Sequence, residues 1–89
     1  MRSALYEVRL LREVRDVLES LEAHVFFELA RDIDSLAFAP RREDAEELGE
    51  GFWLLRSSGF AIIYRIEEAR LVVVLVRVGR QTEILQEPN

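Results

Sequence analysis

The sequence predicts an α+β fold: a short N-terminal strand and a helical hairpin packed on one face of a three- or four-stranded antiparallel sheet. Two observations carry this expectation. Apolar residues in the first half recur at helical spacing in two successive stripes. The second half is a series of β-rich runs separated by tight turns. A length of 89 residues, 49% of them apolar, fits one domain spanning 1–89 with a core of its own.

Residues 4–9 alternate loosely and predict the first strand. Leu10, Leu11, Val14, Val17, Leu18 and Leu21 then form one helical stripe, and Val25, Phe26, Leu29, Ala30, Ile33, Leu36 and Ala37 form a second. Pro40 ends it. The junction Ser20–His24 holds neither Gly nor Pro, so it is compatible with one long helix or with a hairpin. The hairpin is expected around residues 10–38, because a single helix would have little to pack against along its length. Ser20 is the expected N-cap of the second helix.

Residues 41–50 read as a charged connection with a helical turn at 43–48. Strands are expected at Phe52–Ser57, 60–66 and 71–78, with a fourth short one at 82–85. Ser58-Gly59 predicts a two-residue hairpin turn and residues 67–70 a four-residue one. These turns place Arg56 opposite Ala61, Leu54 opposite Ile63, Arg65 opposite Val72 and Ile63 opposite Val74. Side chains alternate along a strand. One sheet face then carries Phe52, Leu54, Arg56, Ala61, Ile63, Arg65, Val72, Val74 and Val76. The other carries Trp53, Leu55, Phe60, Ile62, Tyr64, Ile66, Leu71, Val73 and Leu75. The second face is richer in large aromatics and is expected to meet the helices.

Composition excludes several classes. There is no cysteine, so disulfides and thiolate metal sites are absent. The longest uncharged apolar run, residues 71–76, is far short of the roughly 20 residues of a membrane helix, and the N-terminus lacks the apolar stretch of a signal peptide. A cytoplasmic protein without membrane, metal or cofactor is expected. All 12 basic residues are arginine, against 17 acidic ones, for a net charge of −5. Residues 1–50 carry −6 and residues 51–89 carry +1. A protein that grips phosphates usually carries a basic field, so nucleic-acid binding would need a local patch.

Residues 55–66, Leu-Arg-Ser-Ser-Gly-Phe-Ala-Ile-Ile-Tyr-Arg-Ile, resemble the central hairpin of RelE-type toxins. There the pattern is L-R-x-x-G, an aromatic, Arg, two apolar residues, Tyr, a polar and an apolar residue. The following strand, ending Val78-Gly79-Arg80, is similar to the family's apolar strand and V-G-H/K-R. Tyr6-Glu7-Val8 and the helical hairpin sit where the family places its first strand and paired helices. The chain is thus identified as a member of the RelE/ParE superfamily of bacterial type II toxins. The resemblance implies a RelE-like two-layer fold and a cognate antitoxin. It also implies a target: messenger RNA cut on the ribosome for RelE-like members, DNA gyrase for ParE-like ones.

RNA cleavage through the 2′-hydroxyl requires proton transfer and stabilisation of phosphorane charge. The residues that RelE-like members use do not carry over. Phe52 and Leu54 stand where RelE has two lysines. Ala61 stands where the arginine after the aromatic belongs. Gln81, Thr82 and Leu85 replace the basic and tyrosine ending. Arg56 matches the pattern, and Arg80 holds the basic position after the glycine. Arg56, Arg65 and Arg80 are therefore the candidate catalytic or nucleic-acid-binding residues. The expected function is a toxin that acts by binding. The alternatives are a ribosome-dependent endonuclease with rearranged groups and a gyrase inhibitor. The apolar residues Phe52, Leu54, Ile63, Val72, Val74 and Val76 are the expected interface for an antitoxin or a second copy.

The remaining polar residues have plainer readings. His24 is expected on the surface between the helices. Glu46 with Glu47, and Glu67 with Glu68, are expected to be solvated turn or surface residues, not paired acids or metal ligands. Tyr64 and Trp53 are expected in the core.

Overall fold

The computed structural model describes residues 5–85. Its centre is β4, Phe60–Glu67, whose side chains are nearly all buried or half-buried. Around it the chain runs β1 (Glu7–Leu10), α1 (Arg12–Glu19), α2 (Ala23–Ser35), β2 (Ala45–Gly49), β3 (Phe52–Ser57), β4, β5 (Val72–Arg80) and α3 (Gln81–Ile84). The strands form one sheet in the order β1-β5-β4-β3-β2. Three neighbouring pairs are antiparallel, and β1 lies parallel to β5. The α+β class matches the expectation. The sheet differs from it in having five strands and mixed direction.

The helical hairpin forms as expected. In α1, Val14 and Leu18 lie one turn apart and are buried, and in α2 Leu29 and Ile33 do the same. They meet Leu55, Phe60, Ile62, Tyr64, Ile66, Val73, Leu75 and Val78 from one face of the sheet. Ser20 does not cap α2. It ends α1, its hydroxyl donating to the Val17 carbonyl at 2.6 Å, and Glu22 precedes α2. Trp53 packs against this core half-buried.

Two elements differ in type. Residues 45–49 form the edge strand β2, not a helical turn. Ala45 lies opposite Leu55 and Glu46 opposite Leu54, because β3 would otherwise leave its backbone groups unpaired at the sheet edge. The stretch 82–85 does not make a strand; α3 begins directly after β5 and turns the chain across it.

The Ser58-Gly59 turn sets the expected register, with Arg56 opposite Ala61 and Leu54 opposite Ile63. The second hairpin is shifted. Glu67 remains in β4 opposite Val72, and the reversal uses a 3-10 turn, Glu68–Arg70, closed by Leu71 in the left-handed region at φ 54°. Arg65 therefore lies opposite Val74, not Val72, and Leu71 is an exposed turn residue, not a core one.

Candidate functional site

The sheet face away from the helices is open, and register arranges its side chains in rows across the strands. Gly79, Ala61 and Arg56 make one row. Arg77, Ile63, Leu54 and Glu46 make the next. Arg9, Val74, Arg65 and Phe52 make the third, and Glu7, Val72 and Glu67 the fourth.

One irregularity decides which arginines are here. Tyr64 pairs with Leu75 but Ile63 pairs with Arg77, so Val76 is an extra residue, a β-bulge in β5. Strict alternation would aim Arg77 at the helices and Arg80 at the open face. The bulge reverses both. Arg77 is exposed on the open face, Val78 enters the core, and Arg80 stacks on the Phe60 ring at 5.3 Å on the helix side. There it lines a cleft of about 450 Å³ with Ser20, Leu21, Glu22, Val25, Ser58 and Phe60. The structure thus brings Arg56 and Arg65 together but not Arg80. Arg77, absent from the sequence-derived set, takes its place. Nothing in the local pattern marks the bulge, because Val76 fits an apolar strand on either face.

The arginines differ in their partners. Arg9 pairs with Glu7 at 2.9 Å, and Arg56 with Glu46 at 3.4 Å. Arg65 lies over the Phe52 ring at 5.6 Å, a cation–π contact. Among the described residues, neither Arg65 nor Arg77 has an ion-pair partner.

The six expected interface residues share this sheet region, but they are not an exposed apolar patch. Leu54 and Val72 are each only 3% exposed, and Phe52, Ile63, Val74 and Val76 are half-buried. Long arginine stems cover aliphatic floor while their charged heads stay in water. The well-exposed large apolar residues lie elsewhere: Leu5, Leu11, Phe27, Phe38, Leu48 and Leu71. Ala61 is completely buried. Its neighbour Gly79 lies beneath the Ile84 side chain of α3, which a Cβ at Gly79 would meet at 2.9 Å.

The remaining polar groups serve the fold. The buried Tyr64 hydroxyl donates to the Pro40 carbonyl at 2.6 Å, and burial pushes its pKa up to about 12. Tyr6 and Arg41 both donate to Glu68 at 2.6 Å and hold its carboxyl below the usual range. Arg42 bridges Asp32, Ser35 and Asp44, and Ser57 donates to Asp32 at 2.5 Å. His24 is exposed beside Glu22. Neither acidic doublet forms a pair of acids: Glu46 meets Arg56, Glu67 meets Arg70, and Glu68 meets Arg41. Among the described residues no group of three potential ligands is placed to hold a metal, and no helix is long and apolar enough to cross a membrane.

Comparison with known proteins gives a consistent result. Residues 4–85 match the family described as the ParE toxin of the type II toxin–antitoxin system parDE. No curated protein matches the sequence. Among solved structures, a free E. coli RelE carrying two arginine-to-alanine changes is similar, with TM-score 0.76 and 21% identity over 91% of this chain and 88% of that one. The toxin–antitoxin complex RelBE2 of Mycobacterium tuberculosis gives 0.69 and 24%, over 85% and 98%. The intact E. coli RelBE complex gives 0.73 and 23%, over 84% and 95%.

Proposed function

The chain belongs to the ParE family of toxins of type II toxin–antitoxin systems, and on that premise we propose that it acts in the cytoplasm by binding its target, not by RelE-type RNA cleavage, and that a cognate antitoxin covers the open sheet face. The make-up of that face supports the reading. Its cations are all arginines, which stay protonated at neutral pH and cannot take up a proton. Its carboxylates Glu7, Glu46 and Glu67 are each engaged by an arginine. The fully buried Ala61 leaves no room for a basic side chain at its own position, and Ile84 of α3 covers its neighbour Gly79. The half-buried Phe52, Ile63, Val74 and Val76 supply the apolar part of the antitoxin interface, over the buried floor of Leu54 and Val72. A second copy of the chain is the competing occupant.

Two observations favour other targets. Arg56 beside Glu46 sets a cation next to a proton acceptor, which suits an endonuclease with rearranged groups. The ParE family match favours a gyrase inhibitor. Primer extension on ribosome-bound transcripts, run beside a gyrase supercoiling assay, separates the three. The expected result is no codon-phased cleavage. Cutting by the unmodified protein that Arg56→Ala or Glu46→Gln abolishes would overturn the binding reading. Co-expression with the product of the adjacent gene, followed by co-purification, tests the antitoxin.

A further inference from the structure

We infer that Arg65 and Arg77 form a two-point carboxylate clamp for an extended peptide segment with the pattern acid–x–apolar–x–acid, seated on the half-buried aliphatic floor between them. The inference deepens the antitoxin reading above and rests on it, since the segment would be the antitoxin's.

Charge bookkeeping selects these two residues. Of the four arginines on the open face, Arg9 is engaged by Glu7 and Arg56 by Glu46, whereas Arg65 and Arg77 have no ion-pair partner among the described residues. Guanidinium groups are suited to carboxylates, which they bind through two parallel hydrogen bonds.

Geometry sets the spacing. Arg77 stands on β5 opposite Ile63, and Arg65 stands two residues along β4 with its guanidinium leaning over Phe52 on β3. Two strand spacings across and two residues along separate the positions by on the order of 12 Å. In an extended peptide, residues four apart lie roughly 13 Å apart with one same-facing residue between them. That middle side chain falls over Ile63 and Val74, which are half-buried, with Leu54 beside Ile63.

A peptide fits this surface better than RNA does. Single-stranded RNA binding relies on free aromatic platforms as well as charge. The aromatic ring of this face, Phe52, has Arg65 over it.

The test is fluorescence anisotropy with the full chain and a labelled 12-residue peptide repeating Glu-Ser-Leu-Ser. Controls are the same peptide with Gln for Glu, and a decameric oligouridine. The Glu peptide is expected to bind, and the Gln peptide, which loses both charge-assisted contacts, to bind about 100-fold more weakly. Arg65→Gln and Arg77→Gln should each weaken the Glu peptide about tenfold and flatten its salt dependence. Arg80→Gln, on the opposite face, should change nothing. Circular dichroism checks that each variant is folded; should Arg77→Gln unfold, Arg65→Gln decides. Equal binding of the Glu and Gln peptides, no binding of either, or tighter binding of oligouridine would overturn the clamp. Co-purification with the neighbouring gene product is independent of these outcomes, so the clamp and the antitoxin reading fail separately.

Discussion

Arg77 lies opposite Ile63 although Tyr64, the next residue of β4, lies opposite Leu75, so Val76 has no partner of its own. The bulge is what keeps a charged side chain out of the core. Val78, the next residue, fills the core position that a regular strand would leave to Arg77.

Deleting Val76 should be tolerated about as well as truncating it. In the deletion Arg77 follows Leu75 directly and stays opposite Ile63 on the open face, and regular alternation keeps Val78 in the core. Val76→Ala, at a half-buried site, should cost about 1 kcal/mol, and the deletion a similar amount. Urea titrations of the two variants give the comparison; a deletion that unfolds the protein would show that the bulge does more than set the face of Arg77.

Ala61→Arg should not create RNA cleavage and should destabilise the protein. Ala61 is fully buried, and the neighbouring Gly79 lies under Ile84. Overpacking of this kind costs about 1–3 kcal/mol and should lift α3 from β5. Gly79→Ala should be milder, because the atoms its Cβ meets are the flexible end of Ile84. Thermal melts and transcript-cleavage assays on both variants check this; a stable, cleaving Ala61→Arg protein would refute it.

Tyr64→Phe should lower stability without touching target binding. The variant loses the hydroxyl bond to Pro40 and leaves that carbonyl without this donor in a buried setting, a cost of about 1–3 kcal/mol. Chemical denaturation measures the loss. A change in toxicity with unchanged stability would point instead to a functional hydroxyl.

Acid should destabilise the fold through particular carboxylates. Glu68 is held below its ordinary value of 4.5 by the Tyr6 hydroxyl and then by Arg41. Glu7, by hydrogen bonding to Arg9, and Asp44, by hydrogen bonding to Arg42, are also lowered. A carboxyl whose folded pKa is depressed binds fewer protons folded than unfolded. Its stabilisation is thus fully present above the unfolded value and is lost as pH falls through the folded one. Melting temperature should be flat from pH 7 to about 5 and fall below about 4.5. Glu68→Gln should begin from a lower plateau and lose less on acidification. An unchanged acid limb in that variant would remove Glu68 from the explanation.

Much of this was legible in the sequence because it is local. The periodic stripes of 10–21 and 25–37 specify two amphipathic helices. Ser58-Gly59 sets a two-residue hairpin, and with it Arg56 opposite Ala61. The division of β3 and β4 into an aromatic core face and an aliphatic open face follows from alternation alone. The resemblance of residues 55–66 to the toxin hairpin was likewise carried by adjacent residues.

What tertiary structure decided is non-local. Ala-Glu-Glu-Leu-Gly at 45–49 has little intrinsic preference for a strand, and becomes one because β3 offers an unpaired edge. β1 runs parallel to β5 because the helical hairpin carries the chain across one face of the sheet before β5 is made. The candidate site turned on the same kind of fact. Arg77 and Arg80 are equally plausible by composition, and a single unpaired residue, Val76, sends one to the open face and the other to the helix side. A run such as Val-Val-Val-Leu-Val can slide or bulge with little change in its own burial. Its register is therefore set by what lies across from it, by Tyr64 and Val78 seeking the core and by the cost of burying a guanidinium.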